Sequence, residues 1–387
     1  MIKIGFLLNF TVEYKGGINY LKNLFYALKK YHSEDVEVIL FVPYNIDVSY
    51  EELFSPYATI IRTKILQRKS LSWFLSRVCE KYLRFDPFVF YLLKKNKINC
   101  VSHSNYVYPF KDIKCINWVP DFQYLHYPNL WAENQLLHVQ KEHKNWIHNS
   151  DLIVVSSYAA KNDLVGQYPD FSSKVEVLHF VSQPENRTDT DAVFETDPVF
   201  GGKFFYLPNQ FWIHKNHSVV FKAVKTLKDR GVEIQVITTG SQSDYRDGGK
   251  HFEKLKQYVK DNDLEKNILF LGLIPYAQVF ALMKQSLAII NPSYFEGWSS
   301  TVEEAKSIEK TIILSNIPVH KEQSPVKGIY FNPDDENELA DILGLVWKNE
   351  YSFDRGAFLT QQPSLESRTQ KFSDRFFEVV MRLYKEQ

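Results

Sequence analysis

Short apolar runs alternate with amphipathic stretches along almost the whole 387-residue chain, and this alternation limits the fold more than any other feature. The runs at 2–8, 36–42, 113–119, 152–155 and 175–178 are short and apolar, and read as buried strands. A second set follows at 203–207, 234–238, 268–271, 287–290 and 311–314. Between them, 20–31, 219–230 and 278–285 repeat their apolar residues at the helical period. Such alternation builds parallel sheets covered by helices, so the expected class is α/β with two parallel-sheet domains. Residues 183–199 separate the two sets; they are polar, acidic and bracketed by Pro184 and Pro198, as a linker would be. The expected division is therefore 1–182, a linker 183–199, a second domain 200–364 and a terminal helix 365–387. In that last stretch Phe372, Phe376, Val379, Val380 and Leu383 share one face.

Charge excludes one broad partner class. Lys plus Arg equals Asp plus Glu at 46 each, so nothing global argues for nucleic acid. Cys79, Cys100 and Cys115 have neither metal-ligand nor disulfide-framework spacing, which fits a reducing compartment and makes the cytoplasm the expected location. No stretch reaches the roughly 20 apolar residues of a spanning helix, and residues 1–9 lack a signal-peptide core, so any membrane contact is expected to be peripheral.

The most specific local signal is Asn291-Pro-Ser-Tyr-Phe-Glu296-Gly-Trp-Ser-Ser-Thr-Val-Glu-Glu304. A strand ends at Asn291-Pro292-Ser293, and Gly297 lets the backbone approach a ligand closely. Ser300 with Glu303, or Thr301 with Glu304, fits a capping box that opens a helix. Helix-terminal N–H groups facing the turn would bind an anion. The bland alternative is that Glu304 only caps its helix and Glu296 is a solvated loop charge. Two further turns follow the first strand of each domain. Gly16-Gly17 opens a helix without any G-x-G-x-x-G or Walker lysine and is also readable as a simple tight turn. Lys215, in Asn209-Gln-Phe-Trp-Ile-His214-Lys215, precedes an amphipathic helix whose dipole it opposes unless an anion sits there too; a surface lysine is the plain alternative.

The glycine pair, the lysine and the Glu296/Glu304 pair, in this order, resemble the retaining glycosyltransferases of family 4, which have the GT-B fold: two Rossmann-like domains facing a cleft. The resemblance covers nearly the whole chain. It implies a first domain that binds the acceptor, a second that binds a nucleotide diphosphate sugar, and a final helix that packs back on the first. Gly16 and Gly17 would touch the donor diphosphate, Lys215 would neutralise it, Glu296 would bind the donor sugar and Glu304 the ribose. Gly297, Trp298 and the Ser299-Ser300-Thr301 backbone would complete the donor site. Two departures stand out. Asn209 occupies a position where the family usually has an arginine, and Pro120 the place of a histidine that precedes Asp121. Asp121, Gln123 and His126 are thus candidates at the reacting centre, with His126 and His103 equally readable as structural histidines. The implied activity is sugar transfer with retention to an acceptor hydroxyl, in bacterial-type surface polysaccharide synthesis. Alternatives are a nucleotide-sugar 2-epimerase of the same fold, or a non-catalytic nucleotide-sugar-binding subunit. No metal or other cofactor is implied: the Asp-x-Asp at Asp189-Thr190-Asp191 falls in the linker and carries no strand context.

One patch departs from the neutral whole. Residues 62–97 hold ten basic and two acidic side chains, a net of +8, interleaved with aromatic residues such as Trp73, Phe74, Tyr82 and Tyr91. That pattern suits an anionic membrane surface beside a lipid-linked saccharide acceptor. The alternative is core-facing aromatics under a solvated basic face. The tripeptides at Asn9 and Asn186 match the glycosylation pattern but lack a secretory signal.

Overall fold

A computed structural model describes residues 1–8, 15–83, 85–104, 112–184, 201–244, 246–352 and 362–385. Most of the linker, Asp189 and Asp191, and the tripeptides at Asn9 and Asn186 lie outside them. The chain forms two compact units: Met1–Leu125, Glu133–Val181 and Glu366–Gln387 make unit 1, and His126–Ala132 with Ser182–Leu365 make unit 2.

Unit 1 contains strands β1 (Ile2–Leu7), β2 (Val36–Pro43), β3 (Thr59–Thr63), β4 (Cys100–Ser102), β5 (Lys114–Val119), β6 (Leu152–Val155) and β7 (Val175–Val177). They form one parallel sheet in the order β3-β2-β1-β4-β5-β6-β7. Its helices are α1 (Lys15–Tyr31), α2 (Val48–Phe54), α3 (Leu71–Leu83), α4 (Pro87–Lys95), α5 (Gln123–His126), α6 (Glu133–Asn149) and α7 (Tyr158–Gln167). β6 is buried at every position, as a strand with helices on both faces must be. Two strands escaped the periodicity argument. β3 is a partly exposed edge strand, and β4 has three residues, too few to show a pattern.

Unit 2 repeats the plan with β8 (Phe205–Leu207), β9 (Val236–Thr238), β10 (Ile268–Phe270), β11 (Ile289–Asn291), β12 (Ile312–Ser315) and β13 (Gly328–Phe331), all parallel, in the order β10-β9-β8-β11-β12-β13. Its helices are α8 (His217–Asp229), α9 (Lys250–Asp261), α10 (Tyr276–Gln285), α11 (Ser300–Ser307), α12 (Pro318–Gln323) and α13 (Glu336–Trp347). One core layer joins Val220, Val224, Leu255 and Leu339 to the sheet; the layer on the other side joins Phe280, Met283, Val302 and Ala305. β13, opening on a glycine at the sheet edge, was the third strand missing from the sequence reading.

The last helix, α14 (Leu365–Lys385), belongs to unit 1 apart from its first residue. Phe376 packs against Phe6 and His103, and Phe377 stacks on His32 at 4.3 Å. Arg375 and Arg382 both bind the Glu176 carboxylate. In open parallel sheets, ligands bind beyond the strand C-termini where the strand order reverses. Those points lie between β1 and β4 in unit 1, and between β8 and β11 in unit 2.

Candidate functional site

At the β8/β11 reversal, side chains from three elements meet. Asn291, the last residue of β11, donates from Nδ2 to Ser299 Oγ at 2.7 Å and accepts from Asn209 Nδ2 at 3.1 Å and Ser293 Oγ at 2.9 Å. Thr301 Oγ1 reaches Asn209 Oδ1 at 3.4 Å. Ser293 Oγ also lies 2.7 Å from Glu296 Oε1, so its one proton is shared between the two acceptors, and Lys215 Nζ grips both oxygens of Glu296 at 2.7 and 2.8 Å. The pair is largely withdrawn from solvent, Lys215 16% and Glu296 10% exposed, so each charge depends on the other. Lys215 ends a short 3-10 turn, and Asn216, in the left-handed conformation, redirects the chain into α8. Gly240, beyond β9, fixes the loop opposite: its φ is +138°, and a Cβ there would lie 2.5 Å from Asn209 O. The structure thus brings together Asn209, Lys215, Glu296, Ser299 and Thr301. Asn209 is a buried amide that ties strand ends, where the resemblance leads one to expect a charged guanidinium.

The capping box is not formed. Ser299 is the N-cap of α11, its Oγ accepting from Val302 N–H at 3.4 Å, and neither proposed serine or threonine pairs with a returning glutamate. Glu303 instead bonds Lys306 and Gln323 at 3.0 and 3.1 Å. The Ser299 N–H is likewise taken, by Gln323 Oε1 at 3.1 Å. Ser300 and Thr301, at the first two helical positions, have N–H groups without intrahelical acceptors. Gly297 does not adopt a left-handed φ, so what it supplies is the missing side chain.

Glu304 stands in a different environment from Glu296. It is buried and accepts from the Tyr276 hydroxyl at 2.7 Å. Burial pushes its carboxyl up to about 7, a rise that the Tyr276 bond partly opposes.

Sequence reasoning passed over four neighbours. Gln323, from α12, clamps Ser299 through both amide ends. His320 is buried beside this network; its Nδ1 lies 2.9 Å from Ser315 O, an acceptor only, so Nδ1 carries the proton. Burial lowers the His320 pKa to about 4. Arg246 is paired with Asp244 at 2.9 Å and lies over the rings of Trp212 and Trp131. Trp131 belongs to the 126–132 segment, which packs into unit 2. In the same segment the Tyr127 hydroxyl reaches Tyr294 O at 3.5 Å, and His126 lies with its ring 5.2 Å from Phe295, next to Glu296. A single histidine, glutamine, arginine or tryptophan, whether in the short helix α12 or in a loop, carries no pattern, so no sequence signal marked these residues.

The remaining candidates sit in unit 1. Gly16 and Gly17 are in the first turn of α1; neither has a left-handed φ, and a Cβ at Gly16 would meet open space. Asp121, two residues before α5, accepts from the N–H of Gln123, the buried first residue of that helix, at 2.9 Å. His103 is a core residue: Nε2 meets the Tyr20 hydroxyl and Nδ1 meets Ser102 Oγ, both at 2.7 Å, and burial lowers its pKa to about 3. The structural reading of His103 is the one the geometry supports.

Two parallel-sheet units with these strand orders constitute the GT-B fold. Residues 195–355 match the family model described as glycosyl transferases group 1. Match and fold together support placement in that superfamily. O-antigen chain mannosyltransferase RfbU of Salmonella typhimurium is 25% identical over 191 residues, 49% of this chain and 49% of that protein. The matched region thus spans about half the length of that relative. Sucrose-phosphate synthase from Thermosynechococcus elongatus has a similar structure, with a TM-score of 0.70, 15% identity and complete coverage of both chains. Anabaena HepE, solved in complex with UDP-glucose, gives a TM-score of 0.65 at 14% identity, covering 100% of this chain and 99% of that one. No helix among the described residues is long and apolar enough to cross a membrane.

Proposed function

We propose that this chain is a retaining glycosyltransferase that moves a sugar from a nucleotide diphosphate sugar to an acceptor hydroxyl in surface polysaccharide synthesis. The observation that carries the reading is the Lys215–Glu296 pair, held at the β11 end by Ser293 beside the N-terminus of α11. A diphosphate over that terminus would receive Ser300 and Thr301 N–H groups and share the Lys215 charge with Glu296. Glu296 then accepts from a donor-sugar hydroxyl and Glu304 from the ribose, while Gly297 and Trp298 complete the donor site within unit 2. Asp121 and His126 are the acceptor-side candidates.

In the transfer step the bond from the anomeric carbon to the diphosphate breaks and a bond to the acceptor oxygen forms on the same face. The acceptor proton passes to a departing diphosphate oxygen, so no strong protein base is compulsory. Cytoplasmic synthesis fits the three cysteines, all thiols rather than disulfides. The relative's name makes mannose the first donor sugar to try.

Full-length protein incubated with nucleoside diphosphate mannose and UDP-glucose, with a lipid-linked saccharide acceptor, should release nucleoside diphosphate and give a product of unchanged anomeric configuration by NMR. Isomerised donor without release would make the protein an epimerase, and binding without either would make it a non-catalytic subunit.

A further inference from the structure

Helix α3 is amphipathic the wrong way round for a surface helix of a folded domain. Leu71, Phe74, Leu75 and Tyr82 recur at helical spacing on one stripe, and they are 75%, 58%, 39% and 73% exposed. On the opposite side Ser76 is the one fully buried residue of α3 and donates to Asp86, the N-cap of α4. The core layer beneath takes Val89, Leu92 and Leu93 from α4. The basic and aromatic 62–97 stretch therefore divides. Phe85 and Phe90 pack on that core and Trp73 is half-buried, whereas Phe74 and Tyr82 of α3 are exposed.

Lys69 and Lys81 rim the stripe, both exposed, with Lys81 over the Tyr82 ring at 5.4 Å. Exposed apolar stripes of this kind mark contact surfaces. A protein partner would need matching pockets, whereas a bilayer needs only apolar side chains flanked by cations, and a net of +8 across 62–97 selects an anionic one.

We infer that α3 is a membrane-docking helix that lies in the surface of an anionic bilayer, with Leu71, Phe74, Leu75 and Tyr82 in the headgroup–acyl boundary and Lys69 and Lys81 at the lipid phosphates. This assignment does not rest on the sugar-transfer reading.

Co-sedimentation of the full chain with phosphatidylcholine vesicles, with and without phosphatidylglycerol, tests it. Binding should require phosphatidylglycerol and fall steeply with salt. The F74S/L75S double variant should bind about tenfold more weakly, because two apolar side chains no longer leave water. K69E/K81E should lose most of the salt-sensitive binding. All four side chains face solvent, so both variants should keep the parent melting temperature and circular dichroism. The inference is overturned if the parent protein does not bind at low salt, if it binds neutral vesicles equally, or if F74S/L75S binds as the parent does. It is also overturned if the parent is a dimer in solution that F74S/L75S converts to monomer without any vesicle binding, since the stripe would then cover a second copy.

Discussion

The two units reverse strand order at equivalent places and fill them in opposite ways. Between β1 and β4 the described space holds aromatic core: Tyr20 stacks on Trp118 at 4.4 Å, and His103 packs against Phe6 and Phe376. Between β8 and β11 the same position holds amides, hydroxyls and a lysine–glutamate pair. One topology thus supplies both a hydrophobic plug and a charged site, and the side chains at the strand ends decide which. Burial is expensive for the second kind. It is tolerated there because nearly every polar atom has a partner, which is also why each partner should be costly to remove.

The sharpest break of this contrast is Lys215→Met. In the polar site it should lower turnover by about 10²- to 10³-fold, the range for losing one electrostatic donor to a developing charge. It should also destabilise the protein, since Glu296 is left nearly buried without its cation. The double variant Lys215→Met/Glu296→Gln should recover stability in a urea titration and stay inactive. A single variant with parental turnover would remove Lys215 from the site.

The converse test lies in unit 1. His103→Ala should cost about 2 to 4 kcal/mol of stability, from the cavity and the orphaned Tyr20 hydroxyl. Nucleotide affinity measured by calorimetry should stay the same. A turnover loss without a stability loss would instead place His103 in the chemistry.

How much of this was legible in advance follows from the same contrast. The strands with continuous apolar runs were readable because burial on both faces forces such runs; β3 and β13 at the sheet edges and three-residue β4 were not. Lys215 stood out because a cation opposes the dipole at a helix start, and Glu296 and Glu304 because their spacing across a strand end, a turn and a helix start carries the family resemblance. The position of the cap was misread by one or two residues, since Ser299, Ser300 and Thr301 all suit an N-cap and only tertiary contacts with Asn291 and Gln323 choose among them. The 126–132 segment could not have been assigned to unit 2 from sequence order, because its hold on that unit is made by single aromatic contacts far away along the chain.

A third prediction separates the two glutamates. The usual value for a Glu carboxyl is 4.5, and Glu304 rises to about 7 in the folded protein. A raised carboxyl contributes stability that is fully present below the unfolded value and is lost as pH rises through the folded one. Over that window, 7 − 4.5 = 2.5, the loss is on the order of 3 kcal/mol. Glu304→Gln should therefore match the parent near pH 4.5 and gain stability progressively towards pH 7 and above. It should also bind the nucleotide roughly ten- to a hundredfold more weakly, because a charged acceptor of a ribose hydroxyl is worth about 1.5 to 3 kcal/mol. Urea midpoints against pH and calorimetry at pH 8 read the two effects separately. A flat stability difference would mean that Glu304 is not held as the structure shows, and unchanged affinity would refute its ribose role.

The smallest effect tests whether the polar site works through its hydrogen-bonded frame or through its charges. Ser299 caps α11 and accepts from Asn291, yet its own N–H is engaged by Gln323, so its side chain is part of the frame. Ser299→Ala removes the cap and leaves Asn291 Nδ2 short of one acceptor, for a cost of about 1 kcal/mol, within the usual range for a lost N-cap. Because Gln323 still holds the residue 299 backbone from both sides, the helix start should keep its place. Nucleotide affinity should then change by less than about threefold, against the much larger loss for Glu304→Gln. Thermal unfolding and calorimetry on the same preparation decide the matter. Should Ser299→Ala lose as much nucleotide affinity as Glu304→Gln, the hydroxyl frame, and not the charges alone, would be what binds the ligand.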